Sequence, residues 1–132
     1  MIFTAKSAEF LRWAEEKERN IPQNIDGISV NIHDINNVKT SEIAKIKETI
    51  NKYNSCIYSS NVALESNIEL LKFAELVGMR TYDCNNSESN KISTITPVEN
   101  NKINYIPYTD KPLNWHTDGY YDRKPIFSWL LH

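Results

Sequence analysis

A histidine and an aspartate that could bind a metal ion lie two residues apart, at His116 and Asp118. In an extended backbone, side chains two residues apart leave the same face, so an imidazole nitrogen and a carboxylate oxygen would point to one place. Such a pair supplies two of the three ligands of the facial triad in non-haem Fe(II) oxygenases. The spacing therefore predicts a metal site, and the alternative is a surface histidine and aspartate that share a hydrogen bond.

Two further histidines have weaker grounds for a ligand role. His132 is the local residue that could replace a third ligand, but it lies at the end of an apolar run well beyond His116. His33 is followed by Asp34, and adjacent residues on a strand point to opposite faces. These two side chains therefore cannot chelate one ion together, and we expect His33 to lie in a solvated turn.

The residues around the histidine–aspartate pair have simpler expected roles. Trp115, Tyr120 and Tyr121 flank the pair, and aromatic side chains in a strand region are typical of a core or a pocket wall. Arg123 and Lys124 could meet an anionic cosubstrate, but charges that precede a strand are usually solvated. We therefore place no catalytic role on these five side chains.

Three helices and two short strands are expected to precede this motif. The helices are indicated by capping residues and by apolar stripes of helical spacing, and the strands by short apolar runs. The first helix is capped by Ser7 and breaks at Pro22, and its apolar face consists of Phe10, Leu11, Trp13 and Ala14. A strand with alternating Ile28, Val30 and Ile32 follows, and then a helix that starts at Thr40 or Ser41 and has the apolar stripe Ile43, Ile46, Ile50 and Tyr53. The last two elements are a strand within Ser55–Ser60 and a helix from about Leu64 to Gly78.

The second half of the chain is predicted to consist of strands and turns. A polar loop covers Asp83–Asn90, and apolar runs near Ile92, Ile103, Leu113 and Ile126–Leu131 are separated by four prolines. Helices would then come early and the sheet late, which is an α+β arrangement.

Charge and length exclude several classes of function. Fifteen basic residues against seventeen acidic ones give a net charge of -2, without the positive field that nucleic acids or anionic lipids select. No stretch reaches the roughly 20 apolar residues of a membrane span, so we expect a cytoplasmic protein of one domain. Cys56 and Cys84 are too few for a disulfide framework, and both are expected to be reduced thiols.

The run PLNWHTDGYY at residues 112–121 resembles the metal-binding signature of the taurine catabolism dioxygenase (TauD/TfdA) family. The apolar run Pro125–His132 is similar to the strand that follows this signature, and the upstream order of strand, helix, strand and helix is similar too. The resemblance covers about residues 26–132. It implies an Fe(II)- and 2-oxoglutarate-dependent oxygenase that hydroxylates a small organic substrate.

The resemblance also implies a fold and a ligand set. The family fold is a double-stranded β-helix, or jelly roll, in which His116 and Asp118 would be the first histidine and the carboxylate of the triad. The second histidine and an arginine that binds 2-oxoglutarate lie further downstream in the family than residues 119–132 reach. A jelly roll also needs about eight strands, so the chain is expected to form its amino-terminal part, an incomplete barrel with three flanking helices.

Two segments and three functional hypotheses follow. Residues 1–25 would be a helical amino-terminal arm and 26–132 a partial dioxygenase domain that lacks the carboxyl-terminal half. The chain would be a truncated dioxygenase that is inactive alone; half of an enzyme that another chain or a second copy completes through exposed sheet edges; or a non-catalytic interaction module. Whether it acts as an enzyme by itself is left open at this point.

Overall fold

The order of elements in the first part of the chain alternates between helix and strand. A computed structural model describes residues 7–80, 92–96, 106, 109, 111–114, 116 and 126–132. The chain divides into two units, Met1–Gly78 and Met79–His132. The elements of the first unit are α1 (Ala8–Arg19), a 3-10 turn (Ile25–Ile28), β1 (Ser29–Ile32), α2 (Thr40–Tyr53), β2 (Ile57–Ser60) and α3 (Asn67–Val77).

The two strands form a small parallel sheet. Val30 lies opposite Tyr58 and Ile32 lies opposite Ser60. Parallel neighbours require a long crossover connection, and α2 provides it. On one face Val30 and Ile32 are buried, whereas the alternate positions of β1 are exposed. There the Ser59 hydroxyl donates a 2.5 Å hydrogen bond to Asn31 Oδ1.

The core lies between the apolar face of this sheet and the two helices that follow its strands. Its buried side chains come from β1, the turn after it, α2 and α3, and they are Val30, Ile32, Ile35, Ile46, Phe73 and Ala74. The Phe73 ring packs against the Tyr58 ring with centroids 4.9 Å apart. Burial of these apolar groups is the main favourable contribution to folding.

Helix α1 contacts the last turn of α2 through the side chain of Lys17. None of its residues is buried, although the Ser7 hydroxyl caps it by accepting a hydrogen bond from the Phe10 N–H at 3.1 Å. The Lys17 ammonium donates to the carbonyl oxygens of Asn51 and Lys52 at 2.6 and 3.0 Å. The last carbonyls of a helix have no partner within the helix and carry partial negative charge, so a cation there is stabilising.

Glycine and a capping box mark the ends of α3. The Ser66 hydroxyl accepts from the Glu69 N–H, and the Glu69 carboxylate accepts from the Ser66 N–H. At the other end Gly78 has φ of 112°, a conformation that a residue with a Cβ rarely adopts. The predicted stop at Gly78 is confirmed.

The three helices and the two early strands agree with the sequence prediction, with shifts at their ends. Leu64 lies outside α3, because Ser66 caps the helix and starts it at Asn67. Ile28 belongs to the 3-10 turn and Cys56 precedes β2. The division between 1–25 and 26–132 stays a prediction.

The arrangement of the sheet differs from the expectation. The fold is mixed α and β, but its described strands are parallel and lie in the first half, and the sheet does not close. The jelly roll is not confirmed. Residues 92–96 and 126–132, which are described, are not strands in the structure. The apolar runs near Ile103 and Leu113 fall largely outside the described residues, as does the predicted loop Asp83–Asn90.

Candidate metal centre

His116 is the half of the predicted metal pair that the structure describes. Its side chain is exposed, and its Nδ1 lies 2.7 Å from the carbonyl oxygen of Asn114. A carbonyl oxygen can only accept, so Nδ1 carries the proton and, in the neutral ring, the lone pair is on Nε2. Histidines that bind metals usually donate their other ring nitrogen to such an acceptor. This contact orients the His116 ring.

A short turn precedes the motif that contains His116. The backbone N–H and the hydroxyl of Thr109 both donate to the carbonyl oxygen of Ile106, at 2.9 and 2.7 Å. The same hydroxyl oxygen accepts from the Lys111 N–H at 3.3 Å. Pro112 then disfavours a helical conformation for the residue before it, so the chain leaves the turn towards Asn114 in a non-helical form.

Asp118 lies outside the described residues, and so do the flanking side chains Trp115, Tyr120, Tyr121, Arg123 and Lys124. The distance between the two predicted ligands therefore stays a prediction. Within the described part of the chain, no three histidine, cysteine, aspartate or glutamate side chains are grouped closely enough to hold a metal ion.

His33 lies in the turn after β1, as expected, and its side chain is exposed. Its backbone N–H donates to Glu42 Oε1 at 2.9 Å. The neighbouring Asp34 uses a carboxylate oxygen to accept the Asn36 N–H at 2.9 Å. Both residues thus serve the geometry of the turn, and His33 does not join His116 in any described metal cluster.

Glu42 is a functional carboxylate that the sequence analysis did not single out. Besides His33, it accepts from the Lys39 N–H at 2.8 Å, so one carboxylate ties both ends of the β1–α2 loop to the helix. These backbone hydrogen bonds, the one from His33 first, hold the pKa of Glu42 below its usual value. A glutamate at the third position of a helix was the available signal for this role.

Cys56 and Tyr58 are half-buried groups. Burial raises the pKa of the Cys56 thiol and the pKa of the Tyr58 hydroxyl. Cys56 is a free thiol. Cys84 lies outside the described residues.

The end of the second unit exposes large apolar side chains. Phe127 is 92% exposed, Trp129 is 59% exposed and Leu131 is 78% exposed. His132 follows this run with an exposed side chain. No described residue forms a metal site with it.

Comparison with known proteins does not assign a function to this chain, so a proposal must rest on its own residues. No protein-family model, no curated protein sequence and no solved structure matches the chain. Among the residues that the structure describes, no helix is both long enough and apolar enough to cross a membrane.

Proposed function

We propose that this chain forms the amino-terminal part of an Fe(II)- and 2-oxoglutarate-dependent dioxygenase of the TauD/TfdA type. The observation that carries the proposal is the PLNWHTDGYY run, together with the 2.7 Å contact from His116 Nδ1 to the Asn114 carbonyl oxygen. An imidazole nitrogen and a carboxylate oxygen two residues apart are donors that suit Fe(II) in a facial triad. His116 and Asp118 are the proposed ligands.

Each proposed ligand has a separate task. His116 binds through Nε2, and the Asn114 carbonyl oxygen holds the ring in one tautomer and one orientation. The Asp118 carboxylate offsets part of the positive charge of the metal. When bound, Fe(II) would supply the chemistry that hydroxylates a small organic substrate with dioxygen as the oxidant: one oxygen atom enters the substrate and the other enters succinate as 2-oxoglutarate loses carbon dioxide.

The third iron ligand and the arginine for 2-oxoglutarate are proposed to come from residues outside these 132. A further segment or a complementing chain would supply them, together with the strands that close the barrel. The exposed side chains of Phe127 and Trp129 support this part of the proposal, because large exposed apolar groups suit a segment that packs against further structure. The chain by itself is then expected to bind iron weakly and to show little or no turnover.

Anaerobic Fe(II) titration of the chain, with and without 2-oxoglutarate, tests the ligand assignment. We expect binding of micromolar affinity or weaker, seen by calorimetry and by a visible charge-transfer band with 2-oxoglutarate. His116→Ala and Asp118→Ala should each remove the binding. His33→Ala is the matched control, because His33 is also exposed and its contact to Glu42 uses only the backbone N–H.

Two outcomes would contradict the proposal. Unchanged Fe(II) binding by His116→Ala would remove this residue from the ligand set. Equal loss of binding in His33→Ala and His116→Ala would indicate non-specific coordination by exposed histidines. His132→Ala tests one variation of the proposal, since a loss of affinity there would make His132 a local third ligand.

A further inference from the structure

Helix α3 carries an apolar face that does not take part in the core. Seven of its eleven residues are apolar, and only Phe73 and Ala74 are buried. Ile68 is 66% exposed and Leu76 is 45% exposed. Helices that are apolar around most of their circumference are usually covered on more than one side.

The positions on this outer face form one surface. At 3.6 residues per turn, Ile68, Leu71, Lys72, Glu75 and Leu76 lie within an arc of about 140°. The centre of this arc is opposite the side on which Phe73 and Ala74 are buried. Ile68, Lys72, Glu75 and Leu76 are exposed and Leu71 is half-buried. We call these five residues the α3 outer face.

The two charges on the α3 outer face are placed symmetrically. Lys72 and Glu75 are both exposed, and neither forms an ion pair with a described residue. Consider two antiparallel α3 helices related by a two-fold axis that lies in the interface, at the level of the peptide bond between residues 73 and 74. In this pair Lys72 lies at the same level as Glu75 of the partner subunit. The same axis places Leu71 and Leu76 at the two edges of the contact, where each flanks the charged residues of the partner subunit. The same patch on both subunits would thus form two Lys72–Glu75 ion pairs, and such self-complementarity is what an isologous interface requires.

We propose that the α3 outer face is a homodimer interface, in which two copies of the chain pair their α3 helices in antiparallel orientation. The occupant is a second copy because one lysine and one glutamate complement each other across the two-fold axis. A lipid surface would favour several basic residues around the apolar stripe, and this face has only Lys72. The eleven residues of α3 extend about 16 Å, so the contact is small and the dimer is reversible.

A matched pair of substitutions separates this face from general surface hydrophobicity. Leu76→Lys places a charge in the interface, and it spares the helix because a basic side chain in the last turn of a helix is stabilising. Val62→Lys is the control: Val62 is 41% exposed against 45% for Leu76, but it lies between β2 and α3 and outside the face. Sedimentation velocity of the full chain over a concentration series should show at least about a tenfold weaker dimer for Leu76→Lys. The Val62→Lys dimer should match the unsubstituted one.

Charge exchange tests the register of the pair. Lys72→Glu places like charges opposite each other and should weaken the dimer, as should Glu75→Lys. The double variant restores opposite charges across the axis and should recover the affinity. Circular dichroism of every variant confirms that α3 is intact.

Three results would overturn the proposal. The chain could be monomeric at every concentration, which would indicate that another segment covers the face. The dimer affinity could be unchanged in Leu76→Lys, with or without a loss in Val62→Lys, in which case association uses other surfaces such as strand edges. A double charge variant as weak as the single variants would exclude the proposed register. None of these measurements depends on iron, so they are independent of the proposed dioxygenase function.

Discussion

Replacement of Phe73 by alanine tests whether the α3 core contact holds the first unit together. Phe73 is 1% exposed, and its ring lies 4.9 Å from the Tyr58 ring. Truncation of a buried phenylalanine costs about 3–5 kcal/mol, of which the aromatic pair accounts for about 0.5–1.5 kcal/mol. The described part of the first unit, residues 7–78, would have a stability of about 7 kcal/mol at about 0.1 kcal/mol per residue. The substitution should remove about half of it.

Urea unfolding followed by the helical circular dichroism signal measures this loss. With an m-value of about 1 kcal/mol/M, a cost of about 3 kcal/mol lowers the midpoint by about 3 M. Ile21→Ala is the control, because Ile21 is 67% exposed and its truncation should change the stability by less than about 0.5 kcal/mol. Equal midpoints for the two variants would refute the placement of Phe73 in the core.

Three further predictions concern other contacts of the first unit. Gly78→Ala should cost about 1–2 kcal/mol in urea unfolding, because φ is 112° there; the new Cβ would meet no atom closer than 4.0 Å, so a neutral result would mean that the helix end is not left-handed. The lowered pKa of Glu42 should contribute stability that is fully present above about pH 4.3, the usual glutamate pKa, and is lost as the pH falls through the lower folded pKa. The stability difference between the unsubstituted chain and Glu42→Gln should therefore shrink on acidification, and a difference independent of pH would contradict the contact to the His33 N–H. Since burial raises the pKa of Cys56, a Cys84→Ser variant should react with iodoacetamide at neutral pH more slowly than a free cysteine peptide, and an equal rate would show that the thiol is not shielded.

Local signals in the sequence were sufficient for the helices. Ser7 was predicted to cap α1, and the structure shows its hydroxyl accepting the Phe10 N–H. Gly78 was predicted to end α3 and adopts the left-handed conformation. Both are contacts between residues close in the chain, where the side chain itself supplies the missing hydrogen bond or tolerates the backbone angle.

These local signals did not predict which strands pair. The alternation of Val30 and Ile32 indicated a strand with one buried face, and the structure confirms it. It did not indicate that the neighbour is Ile57–Ser60 in parallel register, because pairing depends on how α2 crosses over and packs. The apolar run Ile126–Leu131 was also predicted to be a strand, and the structure shows none there.

The proposal of a metal site also rests partly on the sequence and partly on the structure. The sequence by itself determined which residue types are available to a metal, because the positions of His116 and Asp118 two residues apart are a property of the chain. Only the structure showed that the His116 ring contacts the carbonyl oxygen of Asn114 and that Glu42 ties the β1–α2 loop to its helix. The packing of α3 on the sheet decided which side of this helix enters the core and which is left exposed. The physical reason is that a residue's type sets what it can bind, whereas its partner depends on the backbone conformation between near residues and on the packing of segments distant in sequence.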